Sequence, residues 1–175
     1  LTSNQTETIQ RLAEKYRITA EEPLSANAMT LLDRRIDNIP ASLALAQAAN
    51  ESGWGTARFA VKGNNYFGLW CWSSDCGLVP NERKKGASHE VSTFKTPVDS
   101  VKNYMLTLNS HPAYKKLRDL RLEARNNHTP LAGARLAGGL LSYSERGEAY
   151  IEELRAMIRI NNLSQFDQAN LDPAP

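Results

Sequence analysis

Apolar side chains recur at helical spacing over most of the chain. In residues 4–16, Ile9, Leu12, Ala13 and Tyr16 share one face behind a Ser3 cap, which predicts an amphipathic helix. After a polar break over 19–23, Ala28, Leu31, Leu32 and Ile36 repeat the pattern and predict a second helix over 25–36. A third runs from Pro40 to about Ser52. Leu43, Ala44, Leu45, Ala46, Ala48 and Ala49 leave it almost no polar face, as expected of a helix through the middle of a domain. A short helix over 56–62 is stopped by Gly63.

The period then changes. From about 69 to 95 the chain carries aromatic residues with Val79, Val91 and Thr93, and Lys84-Lys85-Gly86-Ala87 supplies turn material, so a small β-hairpin lobe is predicted. Thr96-Pro97-Val98-Asp99 reads as a helix start, with Thr96 as cap, Pro97 in the first turn and Asp99 as the capping-box acid. Helices are predicted over 97–110, 113–125, 130–140 behind a Thr129 cap, and 148–161. The polar, proline-bearing stretch 164–175 is expected to be a flexible tail. A helical body interrupted once by a β-lobe, without βαβ alternation, is an α+β fold, mostly α. The layout is then an N-terminal helix and connector over 1–24, a catalytic domain over 25–163, and the tail.

At 175 residues, with 41% hydrophobic and 23% charged side chains, the chain has the size and composition of one globular domain. A net charge of +2 provides no broad cationic field for nucleic acid, and a monomer is expected. The longest apolar run, around 43–49, contains Gln47 and falls far short of the roughly 20 residues that span a bilayer. The chain opens at Leu1 without the charged and apolar start of a targeting segment, so an address signal is expected upstream. Cys71 and Cys76, with four residues between them, suit a small disulfide loop or two free thiols in one loop, and are too few for a structural zinc site. His89, His111 and His128 are scattered, so a metal site is not expected, and no organic cofactor is expected either.

Glu51 is the most unusual position, because it ends the most apolar helix. A carboxyl group against apolar walls stays protonated to higher pH and can protonate a leaving oxygen, whereas a solvated helix-end glutamate has no such role. Its neighbours Ser52-Gly53-Trp54-Gly55 set an aromatic ring between two glycines, either as a platform for a sugar ring or as a packing side chain. Tyr66, Phe67, Trp70 and Trp72, close to Asn64 and Asn65, form a second aromatic group. Phe67 suits the core, and Trp72 suits either an exposed platform or a pinned apolar loop. Nucleophile-elbow, phosphate-loop and dinucleotide motifs are lacking, which excludes the acyl- and phosphoryl-transfer classes they mark.

The run Ala46-Gln47-Ala48-Ala49-Asn50-Glu51-Ser52-Gly53-Trp54-Gly55, followed by Gly63-Asn64-Asn65-Tyr66-Phe67-Gly68-Leu69, resembles the glucosaminidase family of peptidoglycan hydrolases, glycoside hydrolase family 73. Leu141-Ser142-Tyr143-Ser144-Glu145-Arg146-Gly147 and the Cys71/Cys76 loop are similar to one bacterial branch of it. The resemblance implies a lysozyme-like helical body with a small β-hairpin lobe, and a cleft in which glycan strands of peptidoglycan are cut after N-acetylglucosamine. It implies Glu51 as the catalytic glutamate and a second acid on the hairpin. Framed by Gly86 and Phe94, that acid is Glu82, with Glu90 as the alternative. It also implies Tyr143 as the family's tyrosine near the last helix. Trp54, Asn65, Tyr66, Phe67 and Trp72 are expected to line the substrate groove, and the protein to be exported, periplasmic or wall-associated.

Two mechanisms fit these residues. In the inverting one, Glu51 is the acid and Glu82 the base for water, with carboxyls about 6.5–9.5 Å apart. In the other, the sugar's own acetamido group attacks and Tyr143 orients it. Glu-Ser-x-x-Gly also occurs in lytic transglycosylases, so cleavage after N-acetylmuramic acid is the alternative activity. A non-catalytic wall-binding module would use the same aromatic groove without the acid.

Overall fold

A computed structural model describes residues 1–19, 25–83 and 86–169. Most of the expected break over 19–23, the Lys84-Lys85 turn and the tail beyond 169 lie outside the described residues. The chain divides into two units, a discontinuous one of Leu1–Leu43 with Met105–Pro175, and a continuous one of Ala44–Tyr104.

In the discontinuous unit, α1 (Ser3–Lys15) is capped by Thr2, one residue earlier than the expected cap Ser3. Thr2 Oγ1 accepts from Gln5 N at 3.3 Å and Gln5 Oε1 accepts from Thr2 N at 2.8 Å, a reciprocal box that Ser3 cannot make. Ser25 caps α2 (Ala26–Arg35). Ala13, Ile18, Ala28 and Leu32 form the shared core of these helices, with Ile9, Leu12, Tyr16 and Leu31 packed on it. α2 is tied by charge to α6 (Lys115–Asn126), through Arg34 to Asp119 at 2.7 Å and through Asp37 to both Arg121 and Arg125. A 3-10 turn, Pro112–Tyr114, precedes α6.

The stretch expected as one helix over 130–140 is instead α7 (Gly133–Leu136) and a 3-10 turn (Ala137–Gly139). Thr129 donates its hydroxyl back to Ala124 O, so it closes α6 rather than opening the next helix, and the Gly138-Gly139 pair is a poor helix former. α8 (Glu148–Ile160) buries Tyr150, Ile151, Leu154 and Ile158, one helical stripe. Beyond it the described chain is not a loose tail. Leu163–Phe166 forms a 3-10 turn, and the Asp167 carboxylate accepts from Ser42 N, Ser42 Oγ and Gly133 N.

α3 (Ala41–Ser52) and α5 (Pro97–Ser110) contribute residues to both units. α3 is less enclosed than its sequence suggests: Leu43, Ala46 and Gln47 are fully buried, but Leu45 is 44% exposed. α5 starts as expected, with Thr96 and Asp99 exchanging backbone and side-chain hydrogen bonds. Between them lie α4 (Arg58–Gly63) and the lobe. The lobe is a three-stranded antiparallel sheet rather than a plain hairpin: β1 (Trp70–Cys71), β2 (Gly77–Leu78) and β3 (Glu90–Ser92), in the order β1-β3-β2. Val91 faces Trp70 on one side and Leu78 on the other. Among the described residues no helix is long and apolar enough to cross a membrane.

Candidate active site

Glu51 stands in the last turn of α3, half-buried. Ser52 closes the helix behind it. Its hydroxyl donates to Ala48 O at 2.5 Å and accepts from Gly55 N at 2.7 Å, while its carbonyl accepts from Ala57 N. The turn so formed carries three consecutive positive φ angles, +53° at Gly53, +57° at Trp54 and +79° at Gly55. Trp54 is therefore a large side chain held in left-handed backbone, with 66% of it exposed.

The second motif packs beside the first. α4 ends at Asn64 in the left-handed region, whose side chain donates to Phe94 O and Lys95 O. Asn65, 2% exposed, spends both ends of its amide on backbone. Nδ2 donates to Leu69 O and Ser92 O, and Oδ1 accepts from Phe67 N and Leu69 N. The tight loop that results brings Gly68, at φ +64°, against the glutamate: a Cβ there would lie 3.2 Å from Glu51 Oε2. Only glycine combines that backbone with that proximity. Phe67, 2% exposed, stacks on Tyr104 with ring centroids 4.0 Å apart, and Tyr104 Oη donates to Gln47 Oε1 at 2.7 Å. Gln47 lies one helical turn before Glu51, so the Asn-x-Phe-Gly loop and the glutamate helix are fixed to one another within the continuous unit.

Asn65 and Phe67, expected at the groove, thus sit inside the fold and shape the loop. Tyr66 is half-buried, and its amide donates to the buried Ser100 Oγ at 3.4 Å. Tyr104 and Ser100 were not singled out from the sequence, and Gln47 and Gly68 were read only as parts of the two motifs. The one available signal was Gln47, a polar residue inside the most apolar helix.

In the lobe, Cys71 and Cys76 are joined by a disulfide. Glu90 is buried beside it, and its carboxylate accepts from Gly77 N at 2.8 Å and Asp75 N at 3.3 Å. The two sulfurs and a Glu90 oxygen lie within 4.8 Å of one another, but sulfurs bonded to each other are not thiolate ligands for a metal. A side chain at Gly77 would strike Val91 O at 2.0 Å, which confines that position to glycine. Glu82 is exposed on the segment after β2. Its neighbours anchor it: Asn81 Oδ1 accepts from Arg58 at 2.9 Å, and Arg83 donates to His89 O at 3.3 Å. Trp72 is 67% exposed, and Trp70, 54% exposed, stacks on His89.

Tyr143 belongs to the discontinuous unit, in the turn before α8. Its ring is stacked parallel to Tyr150 at 5.7 Å and tilted against Tyr114 at 5.8 Å.

Residues 26–163 match the family described as Glucosaminidase: Mannosyl-glycoprotein endo-beta-N-acetylglucosaminidase. Protein bax of Escherichia coli (strain K12) is 32% identical over 150 residues, which are 86% of this chain and 53% of that protein. The chain thus spans about half the length of this curated relative. No solved structure matches it. With the family match covering the glutamate helix, the Asn-x-Phe-Gly loop, the lobe and α8, the chain belongs to the glucosaminidase family, whose activity is that of a glycosidase.

Proposed function

We propose that the chain hydrolyses the glycan strand of peptidoglycan after N-acetylglucosamine, with Glu51 as the general acid. The observation that carries this reading is the convergence of two sequence motifs on one carboxylate. The Asn65-to-Gly68 loop, fixed by Asn65 and by the Phe67–Tyr104–Gln47 chain, presses its glycine against Glu51 Oε2. A positioned, half-buried carboxyl at the end of an apolar helix suits proton donation to a glycosidic oxygen. Trp54 and Trp72 expose flat faces of the kind that stack on sugar rings.

Glu82 is the base that activates water in this reading. Its carboxylate has no hydrogen-bond or ion-pair partner among the described residues, whereas the Glu90 carboxylate is occupied with two backbone amides. Tyr143 takes the place of the tyrosine that contacts the acetamido group. The disulfide suits an oxidising compartment, and the proposed site of action is the cell wall outside the cytoplasm.

The test is digestion of purified peptidoglycan followed by mass analysis of the new ends. Reducing N-acetylglucosamine is expected. Reducing N-acetylmuramic acid or its anhydro form would mean a muramidase or lytic transglycosylase instead. Glu51→Gln keeps the shape and removes the transferable proton, so turnover should fall about 10²-fold or more with the fold intact. In the same assay Glu82→Ala should cost a comparable factor for the inverting mechanism and much less for acetamido assistance.

A further inference from the structure

A cavity of about 190 Å³ opens between α2, the 3-10 turn Pro112–Tyr114 and α6. Its polar lining is Arg34, Arg35, Lys115 and Arg118 against a single acid, Asp119. That acid is already shared, accepting from Arg34 at 2.7 Å and Lys115 at 2.6 Å. Arg35 donates through Nη1 to the carbonyls of Tyr16 and Arg17, neutral acceptors that leave its charge uncompensated. Arg118 is only 6% exposed, and both of its bonds, to Leu108 O at 2.9 Å and His111 O at 3.0 Å, come from Nη1. Among the described residues no buried side-chain nitrogen or oxygen lacks a partner, so Nε and Nη2 of Arg118, which make neither of these bonds, are not sealed in the interior, and Arg118 lines the cavity.

Neighbouring groups feel this excess of positive charge. The Arg118 guanidinium is pushed down to about 10, first by burial and then by Arg35, Arg121 and Arg34, with Asp119 acting the other way. The His111 imidazole is lowered by burial and by the charges of Arg17 and Arg118. A second cavity shares Arg34 and Arg118, but there Asp37 already pairs with Arg121 and Arg125. The excess is therefore concentrated in the smaller one.

We propose that this cavity is a binding site for a small oxyanion, a carboxylate or phosphate group, held by Arg118 Nε and Nη2 with Lys115 and Arg34. A guanidinium fork beside an ammonium matches an oxyanion's lone pairs, and charge-assisted bonds of this kind are about twice as strong as neutral ones. Water occupies about 30 Å³ per molecule, so the space takes one such group with a few waters and not a polymer segment. The site shares no residue with the Glu51 cluster.

The test is titration with inorganic phosphate and, separately, with an N-acetylated amino acid bearing a free carboxylate, following the amide resonances of α2 and α6. Saturable shifts are expected with at least one probe, and none with the carboxyl-amidated control. Phosphate alone or carboxylate alone would each support the site and identify its ligand group. Asp119→Asn removes the competing acid and should tighten binding about 3- to 10-fold, while Lys115→Gln should weaken it by a similar factor. The ion pairs that these substitutions remove are at least partly exposed and worth about 1 kcal/mol or less each, so the fold should be retained, and the Glu51→Gln protein should bind like the parent whatever bond the enzyme cuts. Shifts that never saturate, or that ignore both substitutions, would overturn the proposal.

Discussion

Left-handed backbone costs an L-residue about 1–2 kcal/mol, and Trp54 bears that cost with most of its ring in solvent. Strain that burial does not offset points to use of the ring at that angle. Trp54→Ala keeps the strained backbone and removes the ring, whereas Trp54→Gly removes both. Denaturant melts should therefore place the glycine variant about 1 kcal/mol above the alanine variant, while both raise KM for wall substrate to the same degree. Equal melts would remove the strain, and an unchanged KM would remove the platform. The sequence made Glu51, Trp54 and the Asn-x-Phe-Gly loop legible because they form short contiguous motifs. It suggested a core place for Phe67 but did not reveal that Asn65 faces inward or that Phe67 stacks on Tyr104, because the partners Ser92 and Tyr104 lie 27 and 37 positions away. Local text carries chemistry better than it carries the direction of a side chain.

At the scale of elements, the helices were readable wherever one face is apolar and a cap is local, as at Thr96 and Asp99. The lobe was readable as β but not in its topology, since strands of two and three residues leave almost no alternation to count. Such strands are marginal alone, so the disulfide and the Glu90 carboxylate are expected to hold them. Replacing both Cys71 and Cys76 with Ser should cost about 2 kcal/mol, the low end for so short a loop. Exchange of the Gly77 and Ser92 amides should then accelerate about 30-fold. Unchanged protection at those two amides would show that the strands hold without the bridge.

Across the whole molecule, charge bears on stability at Asp37, which lies between Arg121, 1% exposed, and Arg125. Burial alone would raise its carboxyl pKa, but hydrogen bonds from Arg125 and Asn38 N and the two guanidinium charges hold it below the usual value. A depressed carboxylate stabilises the fold above its unfolded value of about 3.9, and the contribution is lost as pH falls through the lower folded value. Asp37→Asn should therefore cost about 3 kcal/mol at pH 7 by leaving Arg121 buried without its counter-charge. Melts of parent and variant should converge in strong acid, and a gap independent of pH would remove this account. Asp167 has a different consequence, one of timing. The amide of Ser42 in the first turn of α3 waits for an acceptor 125 positions downstream. On a ribosome, the continuous stretch Ala44–Tyr104, a compact unit by its own internal contacts, is complete long before that acceptor is made. The stretch that carries Glu51 can therefore close early, while the start of its own helix is secured only once Asp167 has been made.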